Sequence, residues 1–419
     1  MKKVVVSGMI GNALEWYDYA LYAQFVPIIA KHFFPESDLA EVMAMAVFAA
    51  GFFVRPLGAV VFGNIGDRFG RRIALVIGIL TMAVPTAAIG LLPSYETIGI
   101  SATIILAIIR LVQGFSLGGE FSGCIAYIVE HSPPEQRGIA GSAAFVSMCL
   151  GMLLGTLTAV SMSLIMSQEA LVSWGWRIPF IAGLFIGLVG LYIRMNLSES
   201  PLYKAAKANK KLSSAPVSET IKYHWPQLLM AIAIYITVTA PFYTSTVYIE
   251  TFMNKLGYTK SESSIVGSII LITMIIVLPI SAKISDKIGR RPVLLSGAIA
   301  IMVLSYPMIA VLGELDFISA IFSQIVLATA VAFYMGPVPA VLVEMFPTKV
   351  RFTGVALSYN LSAAVFGGTA PMVAMLLERA TGNKFAIGYY LFILAMFTLY
   401  TLRSFQETVN NSLADKEAI

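Results

Sequence analysis

Twelve apolar runs, each close to the roughly 20 residues that cross a bilayer as helix, recur at fairly even intervals along this 419-residue chain. They cover about 9–33, 39–64, 73–93, 101–130, 139–165, 175–196, 226–253, 262–283, 292–312, 316–343, 352–377 and 383–403. Short turns carrying charge, Pro or Gly separate them. Backbone in hydrocarbon has to satisfy its own hydrogen bonds, so runs of this length are expected to be helices. With 58% hydrophobic and 12% charged residues and a mean hydropathy of +0.82, the chain has more apolar surface than a water-soluble domain of its length could cover. The expected fold is an all-α integral membrane protein with twelve transmembrane helices.

The turn after span 2, Gly63-Asn-Ile-Gly-Asp-Arg-Phe-Gly-Arg-Arg72, has an echo after span 8, Ile284-Ser-Asp-Lys-Ile-Gly-Arg-Arg291. Asp67 and Asp286 lie 219 residues apart. A second pair of motifs, Glu130 to Arg137 and Glu344 to Arg351, is offset by 214. Two charged motifs recurring in order at half-chain separation indicate a duplicated unit. Two pseudo-symmetric six-helix bundles follow, residues 1–196 and 226–403. A lysine-rich linker at 197–225 joins them, and a tail at 404–419 ends the chain. That linker is long enough for the bundles to rock, and its basic charge suits an anionic leaflet.

An even number of spans puts both termini on one side. Of the 28 Lys and Arg, twenty fall on the terminus side, Lys416 among them, six opposite and two within spans. The termini, linker and duplicated turns are therefore expected in the cytoplasm. The net charge of +5 reflects this bias and does not point to nucleic acid. Met1-Lys-Lys begins like a signal peptide, but Glu15 and Asp18 interrupt the apolar run and no small-residue cleavage site follows, so the segment is expected to stay as span 1. Cys124 and Cys149 have no His or Cys at ligand spacing and read as packing residues. Neither a metal nor a cofactor is expected.

Ionisable residues inside spans are costly and persist where they face a cavity, pair, or move protons. Span 1 carries Glu15 and Asp18 three residues apart on one face, continued by Tyr22. They are either a proton-coupling pair or partners in an ion pair that only holds helices together. Span 4 carries Arg110 near mid-membrane, Gln113 on the same face, and Glu120 deeper toward the cytoplasm. A guanidinium at the midplane suits a carboxylate, and pairing with Asp18 or Glu15 is the structural alternative. Arg55 lies in the cytoplasmic half of span 2. The second half has no ionisable residue near mid-span. It offers Tyr243, Tyr334, Asn360 and the Gly367-Gly368 pair instead, with prolines that bend helices, as beside a transport path. Asp67 is expected to cap the start of span 3 or to pair with a cation, with Arg68, Arg71 and Arg72 anchoring that end in the cytoplasm. The turns as a whole, with Asp67, Arg68, Arg71, Glu130, Arg137, Asp286, Arg290, Glu344 and Arg351, read as a conformational lock.

These residues resemble the major facilitator superfamily over essentially the whole chain. Within it the chain is similar to the metabolite:proton symporter family, through Gly11-Asn-Ala-Leu-Glu-Trp-Tyr-Asp18, Pro93-Ser-Tyr-Glu-Thr-Ile-Gly99, Gln113-Gly-Phe-Ser-Leu-Gly-Gly-Glu120, Trp174-Gly-Trp-Arg-Ile-Pro179 and Glu344-Met-Phe-Pro-Thr-Lys-Val-Arg351. Span 1 and the span 4 region look most like the proline/betaine carriers, which tend to have lysine where Arg110 stands. Ala364-Val-Phe-Gly-Gly368 looks like the citrate and 2-oxoglutarate carriers. The resemblance implies uptake of a small organic solute with protons across the bacterial inner membrane by alternating access.

The expected activity is therefore proton symport of a carboxylate-bearing solute, most simply a zwitterion such as proline or glycine betaine, with a di- or tricarboxylate as the alternative. Arg110 and Gln113 are the candidates for the solute carboxylate, Glu15, Asp18 and Glu120 for protons, and Trp16, Tyr22, Tyr243, Tyr334 and Asn360 for the cavity wall. The expected partners are the solute, protons and the lipid bilayer, with the chain acting as a monomer. A solute sensor on a transporter fold and a proton-driven exporter remain open. No metal-ligand cluster, nucleophile motif or nucleotide loop suggests an enzyme. Osmosensing betaine carriers carry a long C-terminal coiled coil, and the short tail after Arg403 leads us to expect no osmotic activation.

Overall fold

The computed structural model describes residues 2–409 and 411–413, which leaves Met1, Asn410 and the segment containing Lys416 outside. Twelve long helices appear where the apolar runs lie: α1 Lys2–Phe33, α2 Ala40–Arg68, α3 Arg71–Leu91, α4 Ile100–Glu130, α5 Pro134–Ile165, α6 Arg177–Met195, α7 Trp225–Leu256, α8 Lys260–Ile288, α9 Arg290–Glu314, α10 Phe317–Met345, α11 Arg351–Thr381 and α12 Ile387–Thr401. Ten of these are both long and apolar enough to cross a membrane; charge-bearing α1 and short α12 complete the set. Two short helices, Pro201–Ala208 and Pro216–Tyr223, lie in the linker. No strand occurs among the described residues. Outward faces carry side chains such as Phe53, Phe185, Ile318 and Phe322, each at least 66% exposed, an apolar belt suited to lipid rather than water.

Within the first bundle α1 packs on α5, α2 on α4 and α3 on α6; within the second α7 packs on α11, α8 on α10 and α9 on α12. The bundles meet through α2 against α11 and α5 against α8. Second and fifth helices of each half thus meet fifth and second of the other, a pseudo-two-fold exchange consistent with the duplication. Close approach of α2 to α4 depends on small residues: a Cβ at Gly58 would fall 2.0 Å from the Phe115 carbonyl oxygen.

Three helices of the second half are irregular within their spans. A π-helical turn at Thr244–Tyr248 interrupts α7 just after Pro241, another at Ala363–Gly367 interrupts α11, and α10 breaks at Gly336–Pro337. Such turns leave carbonyls and side chains off the regular helical register, and they concentrate beside functional sites.

Candidate functional site

Buried polar clusters occupy the interface between the bundles and the interior of the first bundle. At mid-depth lies Arg55, fully buried. It sits midway along α2 rather than toward one end, because α2 continues four residues past its expected limit to Arg68. Its Nε donates to Asn360 Oδ1 at 3.2 Å, its Nη1 to the Tyr243 hydroxyl at 3.2 Å and its Nη2 to the Tyr359 hydroxyl. The guanidinium also lies over the Tyr359 and Phe52 rings, at 4.9 and 5.4 Å. Every one of these partners is neutral. Asn360 is itself fixed by donating to the Gly118 and Ala356 carbonyls, so α2, α4 and α11 are pinned together here.

Tyr243 and Tyr359 face a small chamber of about 10 Å³, whose other walls include Trp16, Tyr235, Thr239 and Phe242. That volume is about enough for one water. Trp16 meets Phe242 edge-on at 5.8 Å, and its indole nitrogen has no hydrogen-bond partner among the described residues. A molecule larger than water fits here only if these aromatic walls move apart.

Beside this chamber Arg110 is held by Asp18, Nη1 to Oδ2 at 2.5 Å, and by Gln113 Oε1 at 2.8 Å, with the Tyr22 ring 3.8 Å below the guanidinium. Gln113 donates onward to Thr86, and Tyr22 to the Ala44 carbonyl. Asp18, Tyr22, Arg110 and Gln113 therefore form one network, and Arg110 touches a carboxylate whereas Arg55, among the described residues, is hydrogen-bonded to none. Glu15 is separate. It is fully buried, and neither carboxyl oxygen has a hydrogen-bond partner among the described residues. Glu120, Arg55, Arg194 and Asp18 are its charged neighbours.

Glu120 does not join Asp18. It is clamped by both terminal nitrogens of Arg194, one at 2.9 Å, in a buried pair nearer the linker face. Arg194, counted above among the cytoplasmic cations, is only 1% exposed, because α6 turns it inward to Glu120 and the Leu75 and Ser7 carbonyls. Removing one member strands a buried charge, at a cost of about 3–5 kcal/mol. Arg194→Met should therefore lower the melting temperature sharply in a detergent melt, and adding Glu120→Gln should restore much of it. Tyr334 also stands apart. Its hydroxyl donates to the Ile234 carbonyl at 2.8 Å, so it braces α10 against the back of α7 and lines no part of the chamber.

At the linker face the duplicated turns form two matching locks. Asp67 does not cap α3; its two oxygens accept from the Phe352 and Thr353 N–H groups at 3.1 and 2.9 Å, capping α11 of the other half, while it also pairs with Arg71 at 3.2 Å. Asp286 repeats this on the Gly138 and Ile139 N–H groups of α5, at 2.8 and 2.9 Å, and pairs with Arg290 at 2.7 Å. Arg71 pairs with Glu130 at 3.1 Å, as Arg290 does with Glu344 at 2.9 Å. These two arginines and Arg351 are fully buried, not solvent anchors, whereas Arg68 is exposed.

The α3 and α9 starts are capped instead by Glu199, on the Arg71 and Arg72 N–H groups, and by Glu407, on those of Arg290 and Arg291. Burial works against the Glu407 carboxylate, but these N–H groups and those of Thr408 and Val409 outweigh it and hold its carboxyl below the usual range. Gly70 and Gly289, at φ of 118° and 106°, are what let each turn close over its glutamate. The motifs differ in one respect. Arg351 crosses to Glu130 at 2.9 Å, while Arg137 donates to the Asn411 carbonyl of the tail.

The hydrogen bonds and ion pairs that join the two bundles among the described residues all lie between mid-depth and the linker face, so this structure is closed on that face. Asp67→Asn replaces one of two acceptor oxygens with a donor facing an N–H group. Hydrogen bonds to a charged group are worth roughly 1.5–3 kcal/mol. Turnover is expected to fall by about tenfold, while equilibrium solute binding changes little; unchanged turnover at normal expression would remove the lock from the cycle.

Sequence reasoning named Arg110 and overlooked how completely Arg55 is buried. Tyr359, which precedes Asn360 on the same bent helix, was legible as part of a tyrosine-rich wall but not as a partner of Arg55. The partner role of Arg194 was missed. Arg194 carried no signal beyond its place near a helix end.

Residues 8–368 match the Major Facilitator Superfamily model. The chain is 33% identical over 426 residues to the glycine betaine/proline/ectoine/pipecolic acid transporter OusA of Dickeya dadantii (strain 3937), across 99% of this chain and 85% of that protein. It is 34% identical, over the same shares, to the proline/betaine transporter of Escherichia coli (strain K12). Among solved structures, that of the proton:xylose symporter XylE bound to 6-bromo-6-deoxy-D-glucose superposes with a TM-score of 0.82 at 18% identity, over 99% of this chain and 98% of that one. Twelve membrane helices in two interlocked halves, a buried interfacial site and these relatives together establish the chain as a member of the Major Facilitator Superfamily, an integral membrane solute transporter and not an enzyme.

Proposed function

We propose that the protein imports a small zwitterion bearing one carboxylate, such as proline or glycine betaine, together with protons, across the bacterial inner membrane. The observation that carries this reading is Arg55, a fully buried guanidinium held only by neutral groups at the edge of an aromatic chamber. No carboxylate is hydrogen-bonded to it among the described residues, the neighbouring Glu15 included, and a carboxylate from the solute would supply that direct partner. The ammonium end would then meet the faces of Trp16, Tyr235, Tyr243 or Tyr359, each such contact being worth about 0.5–2 kcal/mol. Asp18 already offsets Arg110, so a single cation is left for the solute, which favours one carboxylate over two or three. The names of the relatives support the same choice.

Proton coupling is assigned to Glu15 and Asp18. An ionised Glu15 without hydrogen bonds is expensive in this apolar surrounding, and the neutral acid far less so. Glu120 already balances Arg194 and is left out of the proton path. The linker face is taken as cytoplasmic from its lysine and arginine excess, so the closed locks correspond to an outward-facing or occluded state. No cofactor enters this scheme beyond the coupling proton, and each monomer of two rocking bundles suffices for the cycle.

The reading is tested in liposomes under an inward proton gradient, with labelled proline, glycine betaine, 2-oxoglutarate and citrate supplied in parallel. Accumulation of the zwitterions alone, abolished by a protonophore, is the expected result. Accumulation of the carboxylates alone would overturn the solute class. Solute leaving as protons enter would make the protein an exporter, and binding without movement would make it a sensor.

A further inference from the structure

A groove of about 670 Å³ opens at the linker face between α2 and the linker helix Pro216–Tyr223. Its floor is apolar, made by Val60, Val61 and Ile65 of α2 and by Val217 and Ile221 of the linker helix. Val61 and Ile221 are 41% and 54% exposed. Arg68 and Lys222 line the groove too, and among the described residues no carboxylate does. Neither cation forms an ion pair among the described residues; the carboxylate on the same linker helix, Glu219, is taken by Lys349. Tyr223 and Trp225, at 74% and 55% exposure, follow directly. Exposed Tyr and Trp at a helix start mark the depth of lipid headgroups.

A groove of this size falls within the ordinary range of ligand sites. Its chemistry suits a lipid: an anionic head between two cations, and chains along an apolar floor. A zwitterionic head would find no carboxylate for its ammonium. We propose that the groove is a site for one anionic phospholipid, its phosphate between Arg68 and Lys222. The first half contributes α2; the linker helix packs on α2 and is also tied to the second half by its contact with α11 and by the Glu219–Lys349 ion pair just before it. A lipid seated here bridges the halves and favours the state closed on the linker face.

The test uses the full chain in nanodiscs of phosphatidylglycerol and phosphatidylethanolamine, with retained lipid counted by native mass spectrometry. Wild type should keep one phosphatidylglycerol against excess phosphatidylethanolamine. Arg68→Gln with Lys222→Gln should weaken that retention by about tenfold or more. Val61→Trp fills the groove while leaving both cations in place, and should also displace the lipid. Spin-label distances across the linker face should shift toward closure on adding phosphatidylglycerol in wild type only. Equal retention of the two lipids, or displacement by glycerol phosphate alone, would overturn the proposal.

Discussion

Replacing Arg55 with glutamine is expected to cut solute uptake roughly 100-fold, mainly through weaker apparent affinity. Truncating one partner of a buried, hydrogen-bonded charge pair typically costs 2–5 kcal/mol, and each 1.4 kcal/mol is tenfold. The stability readout separates this from misfolding. Among the described residues Arg55 is hydrogen-bonded only to Tyr243, Tyr359 and Asn360, so removing its charge also removes a desolvation cost. Arg55→Gln should therefore melt at or above the wild-type temperature while failing to bind. Arg110 should behave in the opposite way, because Arg110→Gln leaves Asp18 buried without its cation and should destabilise by about 3–5 kcal/mol. Adding Asp18→Asn should recover that stability. Arg55→Lys keeps the charge but loses the planar fork that meets three partners at once, so only partial recovery of uptake is expected. Isothermal binding of proline or betaine beside thermal melts of these variants decides the matter. Wild-type affinity in Arg55→Gln would return the carboxylate to Arg110.

Glu15→Gln is expected to abolish accumulation against a gradient while leaving exchange of internal for external solute intact. Glutamine preserves shape and hydrogen-bonding capacity in a site that gives neither oxygen a partner, so folding should suffer little. It cannot release a proton, and the cycle then runs only with the solute gradient. The expected signature is a steady-state solute ratio near one under an imposed proton gradient, with counterflow within about twofold of wild type. A neutral amide next to Arg55 also removes an acidic neighbour from the solute site, so solute affinity should lose its dependence on external pH. Full accumulation by Glu15→Gln would leave Asp18 as the coupling group and make Glu15 a packing residue.

Much of the architecture was legible without coordinates because the signals that carry it are long and repeated. An apolar run of membrane length has few alternatives to helix, and twelve of them recur as α1 to α12. The duplication of Asp67 in Asp286 and of Arg71 in Arg290 reappears as two locks with the same bonds. Helix ends were harder to read. Positions such as Arg71, Arg194 and Arg351 scored as cytoplasmic cations by their place in the chain, yet each is buried against a specific carboxylate. Membrane topology depends on counts of charge near a face, and counts do not register where a long side chain turns.

Sequence by itself determined that this chain crosses a membrane as two related bundles, and which few ionisable groups lie at depth within them. It could not decide how those groups are shared out. Arg55 and Arg110 are the two cations placed within spans; the fold gives one of them Asp18 and leaves the other to hydroxyls and an amide from α7 and α11. Likewise Asp67 caps a helix 285 residues away rather than the one that follows it. The physical reason is common to both cases. A pairing across the bundle interface depends on separations of a few ångströms between helices far apart in the chain, and local periodicity holds no record of those separations.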